Sequence, residues 1–175
     1  LNTAPDGKNI NLNCGSTNME VIRQAVLEND VDMGFSFDGD ADRCLAVDEK
    51  GNIMDGDHIL AAMAKSYKEK DELTNNAVVG TVMSNIGLKK YLDSIDVDFV
   101  PAKVGDRFVL EQMLEHDYIL GAEQSGHMIF LNDSTTGDGT FTALKICELV
   151  ASSINNLSYF NELMVSYPQV LVNAK

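Results

Sequence analysis

The sequence predicts an α/β fold, a mixed sheet covered by helices, and three observations carry that prediction. Segments with apolar residues at helical spacing alternate with short, continuous apolar runs along most of the chain. One such run, Met33-Gly34-Phe35-Ser36-Phe37, passes directly into Asp38-Gly39-Asp40-Ala41-Asp42-Arg43, as a strand does when it delivers ligands at its carboxyl end. With 45% hydrophobic residues among 175, the chain has enough apolar surface to bury a core.

Taken in order, Asn9-Ile10-Asn11-Leu12-Asn13 reads as a short strand with nothing before it to pair with. Ser16 or Thr17 is placed to cap a helix with Glu20 in its first turn, whose Met19, Ile22, Val26 and Leu27 share a face and which ends near Asn29. Residues 33–37 then form a buried strand, giving a helix-to-strand unit of an open α/β sheet. Residues 44–48 and 53–54, on either side of Lys50-Gly51-Asn52, predict a β-hairpin. Asp55-Gly56-Asp57 opens the next helix, with His58 in its first turn as a packed or capping residue, and a domain boundary is placed near residue 54.

Beyond it the pattern predicts strand 77–83, helix 86–94, strand 97–100, helix 106–115 and strand 118–120. Asn75-Asn76 marks a loop, and Thr135-Thr136-Gly137-Asp138-Gly139 is a turn, structural in preference to a binding role, with Asp138 capping a helix over 140–154. A second helix near 159–164 gives way before Pro168, which cannot continue it. No internal repeat or low-complexity run interrupts this order.

Asp38, Asp40 and Asp42 lie at alternate positions, with Gly39 and Ala41 as small spacers, so a bent loop brings their carboxylates together. Two carboxylates about 4 Å apart repel by roughly 4 kcal/mol at an effective dielectric near 20, so convergence requires a cation. All-oxygen ligation suits Mg2+ better than zinc. Arg43 adds a fixed planar fork suited to phosphate.

Two other countings of the same residues fit less well. As a calcium loop, Asp38, Asp40, Asp42 and Glu49 occupy positions 1, 3, 5 and 12, but Arg43 stands where the turn needs glycine and the flanks are strand-like. As an aspartyl-phosphate phosphatase of the haloacid dehalogenase type, Asp38 would be the nucleophile and Asp40 the acid/base. The third carboxylate and Arg43 are then unexplained, and the later Gly137-Asp138 finds Thr142 where a second carboxylate is needed. A non-catalytic metal-binding or sugar-phosphate-binding module is a further alternative.

A second polar constellation is Gly121-Ala122-Glu123-Gln124-Ser125-Gly126-His127, following the apolar Tyr118-Ile119-Leu120. Glu123 and Ser125, at alternate positions, can together meet vicinal sugar hydroxyls, or the segment is a polar surface turn. His127 is of the type that shuttles protons or donates to phosphate. Lys103 and Arg107 flank Val104-Gly105-Asp106, either as a phosphate-facing pair or as surface cations at a helix start that Asp106 caps.

The magnesium loop of the α-D-phosphohexomutase family reads Asp-Gly-Asp-x-Asp-Arg, which residues 38–43 resemble. Residues 121–127 are similar to the family's sugar-binding loop, and 104–107 to a motif between the two, in the family's order and at about its spacing. Ala41 and Gln124 are most like the bacterial phosphoglucosamine mutase branch, with phosphomannomutase and phosphoglucomutase as alternatives. The resemblance covers essentially the whole chain. It implies a phosphohexomutase-type fold with a partial second domain carrying the metal loop (1–54), a complete third domain carrying the sugar loop (55–166), and a linker toward a fourth (167–175).

The implied activity is that of an isomerase, Mg2+-dependent interconversion of glucosamine 6-phosphate and glucosamine 1-phosphate through a phosphoserine. It assigns Asp38, Asp40 and Asp42 to the metal and Arg43 and His127 to catalysis, with Glu123, Ser125, His127, Lys103 and Arg107 on the substrate. The family's phosphoserine segment and phosphate clamp have no counterpart here, so the chain is expected to be a fragment, inactive alone, whose partners are a hexosamine phosphate and the enzyme's remaining domains.

The net charge of −14 and a pI near 4.4 argue against nucleic-acid or anionic-membrane partners. No apolar run approaches the length of a membrane span, and the first residues lack signal-peptide character, so a cytoplasmic location is expected. Cys14, Cys44 and Cys147 show no metal-binding spacing and are expected to be reduced and mostly buried.

Overall fold

A computed structural model describes residues 1–170, in which two sheets share one continuous core. The first is a three-stranded antiparallel meander of β1 (Met33–Phe37), β2 (Cys44–Asp48) and β3 (Ile53–Met54), with α1 (Glu20–Asn29) on one face. Side chains alternate along β2. Leu45 and Val47 pack with Met19, Ile22 and Val26, whereas Ala46 turns toward the larger core.

The second sheet runs β5 (Asp98–Ala102), β4 (Ala77–Thr81), β6 (Leu120–Ala122), β7 (Met128–Phe130). β4 is parallel to β5 and β6, and β7 is antiparallel to β6. One face is covered by α2 (Gly56–Glu69) and α3 (Ile86–Ser94), which with α5 (Gly139–Ala151) and α6 (Leu157–Asn161) enclose Met54, Leu60, Met63, Val78, Leu120 and Ile146. The other face packs Val79, Ala102 and Ile129 on Val109 and Met113 of α4 (Asp106–His116). Each fully buried Leu, Ile or Met contributes on the order of 2 kcal/mol relative to exposure.

Most predicted elements stand where the periodicity put them, with α3 at its expected bounds and Asp55 and Asp138 capping α2 and α5 through their side chains. Pro101 lies in β5, an edge strand, where its missing N–H breaks no ladder.

Several expectations are corrected. Asn9 to Asn13 is a turn: Asn11 and Asn13 hold φ of 56° and 54°, and Leu12 N–H donates to Asn9 O at 3.1 Å. The alternating pattern there imitated a strand, but asparagine tolerates the left-handed conformation that closes a turn. Neither Ser16 nor Thr17 caps α1; Met19 occupies the N-cap position without a side-chain bond, and Ser16 N–H goes instead to Phe37 O at 3.0 Å.

The strand at 33–37 is an edge of an antiparallel meander, not part of an open α/β sheet, because the hairpin folds back onto it. Asn75 and Asn76 belong to a 3-10 turn, Thr74–Asn76. Gly105, not Asp106, is the N-cap of α4. α6 starts earlier than expected, at Leu157, because Glu49 accepts from both the N–H and Oγ of Ser158. Strand β7 was not expected at all. All three cysteines are free, but only Cys44 is buried, and burial pushes its thiol up to about 12. The expected linker at 167–175 lies in part outside the described residues.

Candidate functional site

Loops that follow the carboxyl ends of three strands converge: the parallel β5 and β6 of the second sheet and β1 of the antiparallel meander. Lys103–Gly105 follows β5, Glu123–His127 follows β6, and the acidic loop follows β1.

In the acidic loop, Ala41 N–H donates to Asp38 O at 3.2 Å, and Ala41 itself holds φ of 59°. The reversal brings one oxygen each of Asp38, Asp40 and Asp42 within 4.8 Å of one another. Arg43 closes the loop. Its N–H donates to Asp38 Oδ1 at 3.2 Å, and its Nε lies 3.8 Å from Asp38 Oδ2 and 3.9 Å from Asp42 Oδ1. One guanidinium cannot offset three carboxylates. Asp42 Oδ1 is buried and has no hydrogen-bond partner among the described residues. A buried acceptor without a donor is costly, and its position in this cluster fits a hard divalent cation.

The sugar-type loop is fastened to the acidic one. Arg43 and His127 form an antiparallel bridge, and Cys44 N–H donates to Gly126 O at 3.1 Å. This approach needs glycine at 126, where φ is +95° and a Cβ would stand 2.4 Å from Cys44 O. His127 is 4% exposed; its Nδ1 lies 3.0 Å from Asp42 Oδ2, and its Nε2 accepts the N–H of Gly137 at 3.1 Å. Both ring nitrogens are therefore engaged by protein.

Glu123 is half-buried, its Oε1 accepting the N–H of Gly105 at 2.9 Å, and Ser125 is exposed at the loop tip. Gln124 anchors the loop to α2: its carbonyl accepts Gly56 N–H at 3.0 Å and its amide donates to Asp55 Oδ2 at 3.2 Å. Burial would raise the Asp55 carboxyl, but the 2.6 Å contact with His58 holds it below its ordinary value.

Of the predicted site residues, the structure gathers Asp38, Asp40, Asp42, Arg43 and His127 into one cluster and ties Glu123 to it along a short loop. Arg107 is turned away onto Glu111 at 2.7 Å, and Lys103 is exposed, its Nζ 5.6 Å from the Phe108 ring. The 135–139 turn, which the sequence reads as structural in preference to a binding role, packs directly against the cluster. Gly139 N–H donates to Ala41 O at 2.8 Å, and a Cβ at Gly137 would meet His127 Cε1 at 2.5 Å. The signal available for it was the pair of glycines flanking Asp138.

Residues 55–167 match the phosphoglucomutase/phosphomannomutase family, alpha/beta/alpha domain III. The chain belongs to this family. It is 59% identical over 174 residues to a phosphoglucosamine mutase of Finegoldia magna and 56% identical over 175 residues to one of Clostridium acetobutylicum. These alignments cover 99% and 100% of the chain but 39% of each relative, so the chain spans about two fifths of their length.

A phosphoglucomutase/phosphomannomutase family protein of Burkholderia thailandensis superposes with a TM-score of 0.75 at 23% identity, over 89% of this chain and 33% of that one. N-acetylphosphoglucosamine mutase of Aspergillus fumigatus, solved with GlcNAc-6P and magnesium, superposes with a TM-score of 0.69 at 19% identity, over 90% and 38%. Both share the phosphohexomutase fold. Among the described residues, no helix is long and apolar enough to cross a membrane.

Proposed function

We propose that this chain supplies the cation site and the sugar-binding loop of a phosphoglucosamine mutase, which interconverts glucosamine 6-phosphate and glucosamine 1-phosphate. The observation that carries the reading is the backbone bridge between Arg43 and His127, which sets the three-carboxylate loop beside the Glu123–Ser125 loop. A metal site and a polyol site joined in this way suit transfer of phosphate to and from a sugar. Relatives 51–59% identical to the chain and named phosphoglucosamine mutase support the choice of sugar within the family.

In this reading Asp38, Asp40 and Asp42 hold Mg2+, which when bound neutralises charge on the transferring phosphoryl group. Arg43 faces the same phosphate with its guanidinium, whose Nε lies 3.8 Å from Asp38 Oδ2 and 3.9 Å from Asp42 Oδ1. Glu123 accepts from sugar hydroxyls through the oxygen that Gly105 does not occupy, and Ser125 donates and accepts at the loop tip. Lys103 and Arg107 reach the substrate phosphate only by leaving Phe108 and Glu111. Residues 1–54 correspond to the end of a second domain, 55–166 to a third, and 167–175 to a link onward. The phosphoserine and the remaining domains come from outside these residues.

The test is an assay of the longer enzyme carrying this chain, given glucosamine 6-phosphate, Mg2+ and a catalytic amount of glucosamine 1,6-bisphosphate. Glucosamine 1-phosphate should accumulate faster than mannose 1-phosphate or glucose 1-phosphate from their 6-phosphates, and the 175-residue chain alone should give none. A preference for mannose or glucose 6-phosphate would overturn the assignment of the sugar.

A further inference from the structure

We infer that His58 is a positioning residue: through Asp55 it holds the Glu123–His127 loop in register with the segment 165–167, which crosses the start of α3. The inference rests on the reading of that loop as the sugar-binding loop. The residues that carry it, Asp55-Gly56-Asp57-His58, open α2 beneath the loop and lie outside the carboxylate cluster.

Gln124 Nε2 donates to Asp55 Oδ2 at 3.2 Å. The other oxygen, Oδ1, accepts the backbone N–H of His58 at 3.1 Å and lies 2.6 Å from Nδ1 of its ring. Burial opposes the charge on Asp55, yet the contact with His58 keeps the carboxyl below its ordinary value, so it is ionised and has no hydrogen to give. Nδ1 is therefore the donor. On the far side of the ring, Nε2 lies 3.3 Å from Ser166 Oγ. Gln124, Asp55, His58 and Ser166 form one line of hydrogen bonds between residues distant along the chain. The side chains at its middle are 23% exposed for Asp55 and 12% for His58, so water competes little for them. A rigid ring engaged at both nitrogens cannot move toward one partner without leaving the other.

A second line braces the same segment. Asp57 Oδ2 accepts Asn85 N–H at 2.7 Å, and the Asn85 amide closes on Tyr167 from both ends, Nδ2 donating to Tyr167 O at 2.8 Å and Oδ1 accepting Tyr167 N–H at 3.0 Å. Gly87 lets the segment come this close, since a Cβ there would stand 1.9 Å from Val165 O. Lys90 Nζ lies 4.0 Å from the centroid of the Tyr167 ring. These contacts keep residues 165–167 seated when the Ser166 bond is cut. The first line is the one that ends on a side chain of the loop.

Steady-state turnover of glucosamine 6-phosphate by the longer enzyme that carries this chain tests the inference. Gln124→Ala, His58→Ala and Ser166→Ala should each raise KM about two- to tenfold, the equivalent of one hydrogen bond, with kcat little changed. Because the three act along one line, Gln124→Ala combined with Ser166→Ala should raise KM no further than the stronger of the two alone, and Ser166→Ala should add nothing to His58→Ala. If His58→Ala fails to fold, the pair of Gln124→Ala and Ser166→Ala decides by itself, since both residues lie at the ends of the line and Ser166 is exposed. Effects that multiply, or a KM equal to the parent's in folded Ser166→Ala, would overturn the inference while leaving the sugar-binding loop standing. A parent enzyme that turns over no hexose 6-phosphate would overturn that reading of the loop, and the inference with it.

Discussion

The backbone N–H of Gly105 donates to Oε1 of Glu123 at 2.9 Å, and Gly105 does so from a φ of 124° that side-chain-bearing residues rarely adopt. The loop after β5 therefore orients the carboxylate of the loop after β6. Gly105→Ala should force this loop out of its conformation and deprive Glu123 of its donor. In the full enzyme we expect KM for the sugar phosphate to rise about tenfold, equivalent to about 1.4 kcal/mol. Mn2+ affinity should not change. An unaltered KM in a Gly105→Ala enzyme would refute the role assigned to Glu123.

Gly56 supports the same loop from below. A Cβ at this position would stand 2.0 Å from Glu123 O and 2.9 Å from Gly126 N, both backbone atoms that cannot swing aside as a side chain would. Gly56→Ala should therefore displace the Glu123–His127 loop and lower stability by about 1–3 kcal/mol, the usual range for overpacking. Urea denaturation reads the loss. A variant as stable as the parent would mean that the loop and α2 separate more easily than their 3.0 Å bond from Gly56 N–H to Gln124 O implies.

Asp40 is the exposed member of the three carboxylates. Removing it should relieve repulsion within the apo loop, so Asp40→Ala should unfold at the same temperature as the parent or slightly above it when no metal is present. Mg2+-dependent turnover in the full enzyme should nonetheless fall more than about a hundredfold, beyond the loss typical for a partner that only supports a ligand. Retained turnover in Asp40→Ala would remove the carboxylate cluster from the mechanism.

What the sequence made legible was whatever local patterning determines. The apolar run ending in Asp38, Asp40 and Asp42 placed the cluster correctly, and α3 was readable because Asn85 caps it and Leu88 and Leu92 share its buried face. What it hid depends on contacts distant along the chain. The ring of His127 is engaged by Asp42, 85 residues away, a contact that no local pattern announces. The 135–139 turn read as punctuation because neither Gly137 nor Gly139 has a side chain to declare what it touches, though both lie against the cluster. β7 escaped notice for a related reason: three residues are too few to show a period. At Asn9 to Asn13 the error ran the other way, with a period present but the backbone turned.

Asp57 gives a prediction independent of the proposed activity. It is fully buried at the start of α2; Oδ2 accepts Asn85 N–H at 2.7 Å, while Oδ1 has no partner among the described residues. Burial pushes its carboxyl up to about 6 from 3.8, with nearby Asp55 adding to the rise and the Asn85 bond opposing it. Because the folded state holds this proton more tightly than the unfolded chain, stability must fall as pH rises from about 4 to about 6. A shift of about two units corresponds to about 3 kcal/mol across that window. Asp57→Asn keeps an acceptor for Asn85 but has no charge to bury. Compared with the parent by urea denaturation between pH 4 and pH 7.5, it should gain most of that 3 kcal/mol above pH 6. Near pH 4, where the parent's Asp57 is protonated in the folded state, the gain should be small. Parallel stability curves for the two proteins over the whole range would show that Asp57 is no harder to ionise folded than unfolded.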